Sequence, residues 1–100
     1  MIYLLRHGDA QPDIGDGDAA RRLTPKGEEQ ARLAGLAIAR LGYRIDACLT
    51  SPRVRALDTA RIACLAIGLE PEVSDPIGTG RYETTDLAAG RGDVLLVGHE

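Results

Sequence analysis

Aromatic side chains are scarce in this chain: it has three Tyr and neither Trp nor Phe. Leu, Ala, Ile and Val must therefore build the core. Positive charge is not in excess either, since 12 Lys and Arg face 15 Asp and Glu for a net charge of −3. That balance excludes general binding to nucleic acid, which needs a basic surface. Only two cysteines occur, Cys48 and Cys64. They form no CxxC and have no close histidine partner, so they are expected to be small buried hydrophobes. Without a disulfide framework, a reducing, cytoplasmic setting is expected. No apolar run approaches the roughly 18 residues of a membrane span, and no basic region followed by a long apolar stretch marks a signal peptide.

The apolar runs and helix signals give an alternating pattern. Ile2 to Leu5 reads as a short, buried-type strand. Asp9 to Arg22 has no periodicity and reads as a loop beside an active site. Thr24-Pro25 is a helix start, with Thr as N-cap and Pro at the first helical position. Glu28 and Glu29 suit the first turns. Ala31, Ala34, Ile38 and Leu41 follow helical spacing, Leu33, Leu36 and Ala37 widen that face, and Gly42 ends the helix. Ile45 to Thr50 reads as a second strand. Ser51-Pro52 then turns the chain into a helix from Arg53 to Ile67, with Ala56, Ala60, Ala63 and Ile67 inward and Gly68 as its stop. Glu70 to Ser74 is expected as a third strand, Asp75 to Tyr82 as a loop, Thr84 to Ala89 as a short helix and Asp93 to Val97 as the last strand. This order implies one α/β domain over residues 1–100, with a mostly parallel sheet and helices on its faces.

Two strands deliver a histidine at their carboxyl ends, where open α/β sheets bind ligands. The first is followed by Arg6-His7-Gly8 and the last by Gly98-His99. Between them, Ser51-Pro52-Arg53-Val54-Arg55-Ala56 brings arginines to a third strand end. Two histidines and two arginines in one cleft suit a phosphoryl group. Zinc would be repelled by the adjacent arginines, so no metal or other cofactor is expected.

These segments resemble the histidine phosphatase superfamily, the phosphoglycerate mutase-like fold. Leu5-Arg6-His7-Gly8 is similar to its signature. Leu23-Thr24-Pro25-Lys26-Gly27-Glu28-Glu29-Gln30-Ala31 is similar to its first-helix motif, Ser51 to Ala56 with Thr59-Ala60 to its SPxxRAxxTA segment, and Val97-Gly98-His99 to its second-histidine strand end. Within the superfamily, Arg-His-Gly-Asp-Ala at positions 6 to 10, the approach Asp18 to Thr24 and the short late connection look most like the SixA-type phosphohistidine phosphatases, which are small and lack a substrate-covering lid. The resemblance implies a three-layer α/β/α fold that continues past the second histidine with a helix and strands, so truncation at the C-terminus is expected.

It also implies the roles. His7 is the expected nucleophile, provided that one ring nitrogen is unprotonated and the other is held by an acceptor such as a backbone carbonyl. Arg6 and Arg55 are expected to clamp the phosphoryl oxygens. Arg53 competes with Arg55 as a residue type, but the family's register selects Arg55 and leaves Arg53 at the rim. His99 is expected as a second phosphate ligand. Gly8 is expected to allow close backbone approach to the phosphate or the turn out of the strand, and Ser51 either adds a hydrogen bond near the phosphate or caps the second helix. For a general acid, Asp9, Asp13, Asp18 and Glu83 all remain open. Arg21 and Arg22 form either a basic rim or a solvated pair.

The implied activity is a metal-independent phosphatase working through a phosphohistidine intermediate on a phosphohistidine-containing protein, with neither nucleic acid nor membrane as partner. Its rivals are a small-molecule phosphomonoesterase or mutase of the same fold, and a non-catalytic phosphate- or phosphoprotein-binding module.

Overall fold

The computed structural model describes residues 1–79 and 90–98. Four parallel strands form one sheet in the order β1-β4-β2-β3. They are β1 (Ile2–Leu5), β2 (Ala47–Thr50), β3 (Pro71–Val73) and β4 (Val94–Val97). Helices α1 (Pro25–Arg40) and α2 (Val54–Ile67) are followed by a short helix, α3 (Asp75–Thr79). A single 3₁₀ turn spans Asp18–Ala20. The result is the expected three-layer α/β/α arrangement with a parallel sheet.

Alternation along the strands sorts the core into two faces. Cys48, Leu95 and Val97 meet Ala60 and Cys64 of α2, with Tyr3, Leu5, Ile38 and Ile67 packed around them. On the opposite face, Leu49, Val94 and Leu96 meet Ile77 of α3. β4 lies between β1 and β2 and is buried on both faces, as a continuous Val-Leu-Leu-Val run should be. β1 departs from the buried-type expectation. Among the described residues it pairs with β4 alone, and Leu4 is 71% exposed.

Thr24 caps α1 as expected, its hydroxyl oxygen accepting from the Gly27 N–H at 3.0 Å with Pro25 in the first turn. The buried face of α1 is Gly27, Ala31 and Gly35, and α1 packs along α2. A Cβ on Gly35 would overlap the backbone of Ala63, so small residues set the distance between the two helices. Leu33 and Leu41, assigned to the inner face from spacing, are exposed instead. Contact at Gly35 brings the helices so close that bulky neighbours fall outside it. On α2, Ala56, Ala60 and Ala63 are fully buried, while Ile67 packs at the edge of the cluster. Gly68 ends α2 in the left-handed region at φ 72°.

Two loops hold more structure than their composition suggests. Asp75–Thr79, expected as part of a loop, is helical and seats Ile77 in the core. The Asp9 to Arg22 stretch contains the 3₁₀ turn and an antiparallel bridge between Ala10 and Leu23. The helix expected over Thr84 to Ala89 lies outside the described residues. Cys48 and Cys64 are free and buried. The hydrogen bond from Cys48 to Cys64, reinforced by burial, pushes the Cys48 thiol up, and the same hydrogen bond lowers that of Cys64 against its burial, so Cys48 is an inert core thiol. Among the described residues no helix is long and apolar enough to cross a membrane.

Candidate active site

The register aligns Leu5 with Val97 and Val97 with Thr50, so β1, β4 and β2 end side by side. Arg6, His7 and Gly8 follow β1 directly. They line an open cleft of about 360 Å³ together with Asp9, Ala10, Arg21 and Gln30.

His7 is half-buried, and its Nδ1 lies 2.8 Å from the Gly8 carbonyl oxygen. A carbonyl can only accept, so Nδ1 carries the proton and Nε2 of the neutral ring is left with its lone pair. The Nε–H of Arg55 points at that Nε2 at 3.4 Å. Arg55 is 5% exposed. Its Nη1 donates to the Asp18 carbonyl oxygen at 2.8 Å and its Nη2 to Asp18 Oδ2 at 3.1 Å. Arg6 differs: it is exposed, lines the cleft, and makes no ion pair among the described residues.

The strand end is fixed by residues that carry no charge. The Gly8 N–H donates to Thr59 Oγ1 at 3.0 Å, and the Thr59 hydroxyl donates to the Arg55 carbonyl at 2.7 Å. One side chain thus ties the backbone after His7 to the backbone of Arg55. Gly8 lies against Gly27, where a Cβ would stand 2.5 Å from the Gly27 carbonyl oxygen. A Cβ on Gly27 would in turn overlap the Asp9 carbonyl. Gly8 therefore serves close backbone approach, but to α1. The Asp9 N–H donates to Gln30 Oε1 at 2.8 Å, and the Thr24 hydroxyl donates to Asp9 Oδ2 at 2.8 Å. Gln30 and Thr59 had no role assigned from sequence, although both sit in recognisable motif positions.

The remaining candidates separate. The Ser51 hydroxyl accepts from the Arg53 N–H at 3.2 Å in the turn into α2. Arg53 reaches Asp18 at 3.3 Å, at the rim. Arg21 lines the cleft and pairs with Asp18 at 3.1 Å, whereas Arg22 turns to Asp58 at 3.6 Å. The Asp13 carboxylate accepts from the N–H groups of Gly15 and Gly17 within its own loop. Hydrogen bonds from Arg21 and then Arg55 hold the Asp18 carboxyl below its ordinary range, so Asp18 stays ionised and is not a proton donor near neutrality. His99 and Glu83 lie outside the described residues. No group of three or more metal-ligating side chains occurs among those described.

A lone-pair imidazole nitrogen with a buried guanidinium beside it and an exposed guanidinium lining the same cleft are chemically suited to a tetrahedral anion. The chain is similar to a crystal structure from Agrobacterium tumefaciens assigned as phosphohistidine phosphatase SixA, with a TM-score of 0.86, 30% identity, and coverage of 99% of this chain and 68% of that one. It is also similar to the protein histidine phosphatase SixA complexed with tungstate, with a TM-score of 0.80, 27% identity, and coverage of 98% and 68%. Among curated proteins, the mitochondrial serine/threonine-protein phosphatase Pgam5 of Drosophila persimilis is 41% identical over 69 residues, which is 69% of this chain and 24% of that protein. The chain thus spans about a quarter of the length of the curated relatives that it matches. The sequence profile of the histidine phosphatase superfamily (branch 1) matches residues 2–85, and the chain belongs to that superfamily.

Proposed function

We propose that this chain carries the phosphoryl-transfer site of a metal-independent, SixA-like protein phosphohistidine phosphatase. The observation that carries this reading is the pairing of His7 with Arg55. Nδ1 is committed to the Gly8 carbonyl, so Nε2 keeps the lone pair; the Arg55 Nε–H that now points at it at 3.4 Å turns to a phosphoryl oxygen when that lone pair bonds to phosphorus. In the first step Nε2 bonds to phosphorus and the substrate's leaving nitrogen departs with the bonding pair, taking a proton from solvent. In the second, water attacks the phosphorus, the bond to Nε2 breaks and inorganic phosphate leaves. Arg6 and Arg55, with His99 as a further ligand, neutralise the charge that spreads over the equatorial oxygens. Because guanidiniums supply that charge, no cation is needed.

Two features support phosphohistidine over an ester. Imidazole leaves readily from a phosphoramidate, so a dedicated carboxylic acid is less necessary, and Asp18 beside Arg55 is unable to serve as one. The open cleft also admits a side chain presented by a partner protein. The cytoplasm is the proposed location. A second reading, a phosphoserine or phosphothreonine protein phosphatase, is favoured by the 41% identity to a serine/threonine-protein phosphatase.

The test compares release of phosphate from a phosphohistidine peptide, a phosphoserine peptide and para-nitrophenyl phosphate, for wild type and His7→Ala, in EDTA. Preferred, EDTA-resistant turnover of phosphohistidine that vanishes in the variant is the expected result. Preference for phosphoserine would transfer the assignment to the second reading, and equal turnover by both proteins would remove His7 as nucleophile.

A further inference from the structure

Arg55 is the most buried charged side chain among those described, and its guanidinium presents two different edges. The terminal edge is taken by Asp18, with Nη1 on the backbone carbonyl and Nη2 on the carboxylate. The edge bearing Nε–H faces His7 Nε2. We infer that Asp18 is a positioning residue: by holding the terminal nitrogens of Arg55, it aims the Nε edge at the point where phosphorus is transferred. The inference rests on the reading of His7 as the phosphoryl acceptor, which it deepens.

Three observations support the assignment. A guanidinium is a rigid planar fork, so fixing two of its nitrogens fixes the direction of the third. Asp18 itself sits in the 3₁₀ turn after Gly17, which adopts φ 97°, and this turn lets its carbonyl and its carboxylate converge on the same arginine. Finally, one carboxylate gathers three guanidiniums, those of Arg21, Arg53 and Arg55. Asp18 takes Nη1 and Nη2, and Nε–H is the donor of Arg55 that faces His7.

The experiment uses the full chain as wild type, Asp18→Ala, Asp18→Asn and Asp18→Glu. The readouts are kcat and KM on para-nitrophenyl phosphate, binding of inorganic phosphate by calorimetry, the Arg55 Nε–H resonance by NMR, and the amide spectrum as a check of the fold. Removing a direct oxyanion donor typically costs about a hundredfold or more in kcat, so removing the group that aims one is expected to cost about tenfold, with KM changed less than about threefold. The Arg55 Nε–H resonance should broaden in Asp18→Ala while the other amides keep their positions. Asp18→Asn, which keeps an acceptor oxygen and the side-chain shape, should fall between, and Asp18→Glu should recover part of the rate. If Asp18→Ala unfolds the chain, the graded response of the other two variants decides. An unchanged Arg55 resonance with an unchanged rate, or tighter phosphate binding in Asp18→Ala, would overturn the inference. If wild type turns over no substrate, the phosphatase reading fails separately, and the Arg55 resonance with phosphate binding still decides the role of Asp18.

Discussion

The connection between β1 and α1 is held at its two ends by different forces. At Gly8 to Ala10 it is clasped by close backbone packing on Gly27, by Gln30 and Thr24, and by the bridge from Ala10 to Leu23. At Asp18 to Ala20 no residue is buried, and the turn is tied to the rest of the molecule through arginines. The first end sets the position of His7 and the second sets that of Arg55. One of the two proposed catalytic groups therefore depends chiefly on backbone packing, which acids and salts barely touch, and the other on charge, which they do.

Breaking the packed end should have the largest effect. Gly27→Ala puts a Cβ into the Asp9 carbonyl, an atom of the backbone that has no rotamer to escape into. A loss of about 3 kcal/mol in unfolding free energy is expected from such overpacking. Gly35→Ala, which meets the Ala63 backbone in the contact between α1 and α2, should cost a similar amount. The two should diverge in activity per folded molecule, which falls in Gly27→Ala because His7 moves and holds in Gly35→Ala. Chemical denaturation together with turnover of the folded fraction checks this, and equal activity losses would show that the clasp does not position His7.

A milder break at the same end is Thr24→Ala. It removes the N-cap of α1 and the hydrogen bond to the Asp9 carboxylate together. A cost of about 1 kcal/mol is expected, with Thr24→Ser restoring most of it. Smaller still in stability is Arg6→Ala, because an exposed arginine without an ion pair among the described residues contributes little to folding. Unfolding free energy should change by less than about 0.5 kcal/mol, while affinity for inorganic phosphate drops about tenfold. A large loss of stability with unchanged phosphate binding would place Arg6 in the fold rather than in the site.

How much of this was legible in the sequence follows the same division. Periodicity and capping carried α1, α2 and the strands, because each depends on neighbours within a turn or two. The residue types at Arg6, His7 and Arg55 pointed to the proposed chemistry. Partnership across the fold was not legible. Asp18 and Arg55 stand 37 positions apart, and nothing in a loop aspartate distinguishes a proton donor from an arginine anchor until the turn places it. The exposed Leu4 and the helix over Asp75–Thr79 were hidden for a related reason. Strand order decides whether an apolar run lies at an edge, and tertiary contact through Ile77 overrides the weak helical tendency of Pro76 and Gly78. In Gly8, Gly27, Gln30 and Thr59 the motif letters were visible, but their use in clasping three segments together appears only in three dimensions.

The smallest expected effect sharpens the comparison most directly, because it acts on one end alone. Hydrogen bonds from Arg21 and Arg55 hold the Asp18 carboxyl below its ordinary value of 3.8 in the folded chain. A carboxyl depressed on folding contributes stability that is present in full above 3.8. That contribution is lost as pH falls below 3.8 and through the lower folded value. Asp18→Asn lacks this contribution at every pH, so the stability gap between wild type and variant should be flat from pH 7 to 5 and close on further acidification. Raising salt to 1 M, where charges are screened beyond roughly 3 Å, should narrow the same gap at neutral pH. The amide signal of Gly8 should stay put under both treatments, since its partner is a threonine hydroxyl. A gap independent of pH and salt would mean that Asp18 holds Arg55 by shape and its backbone carbonyl, and the two ends of the connection would then be built alike.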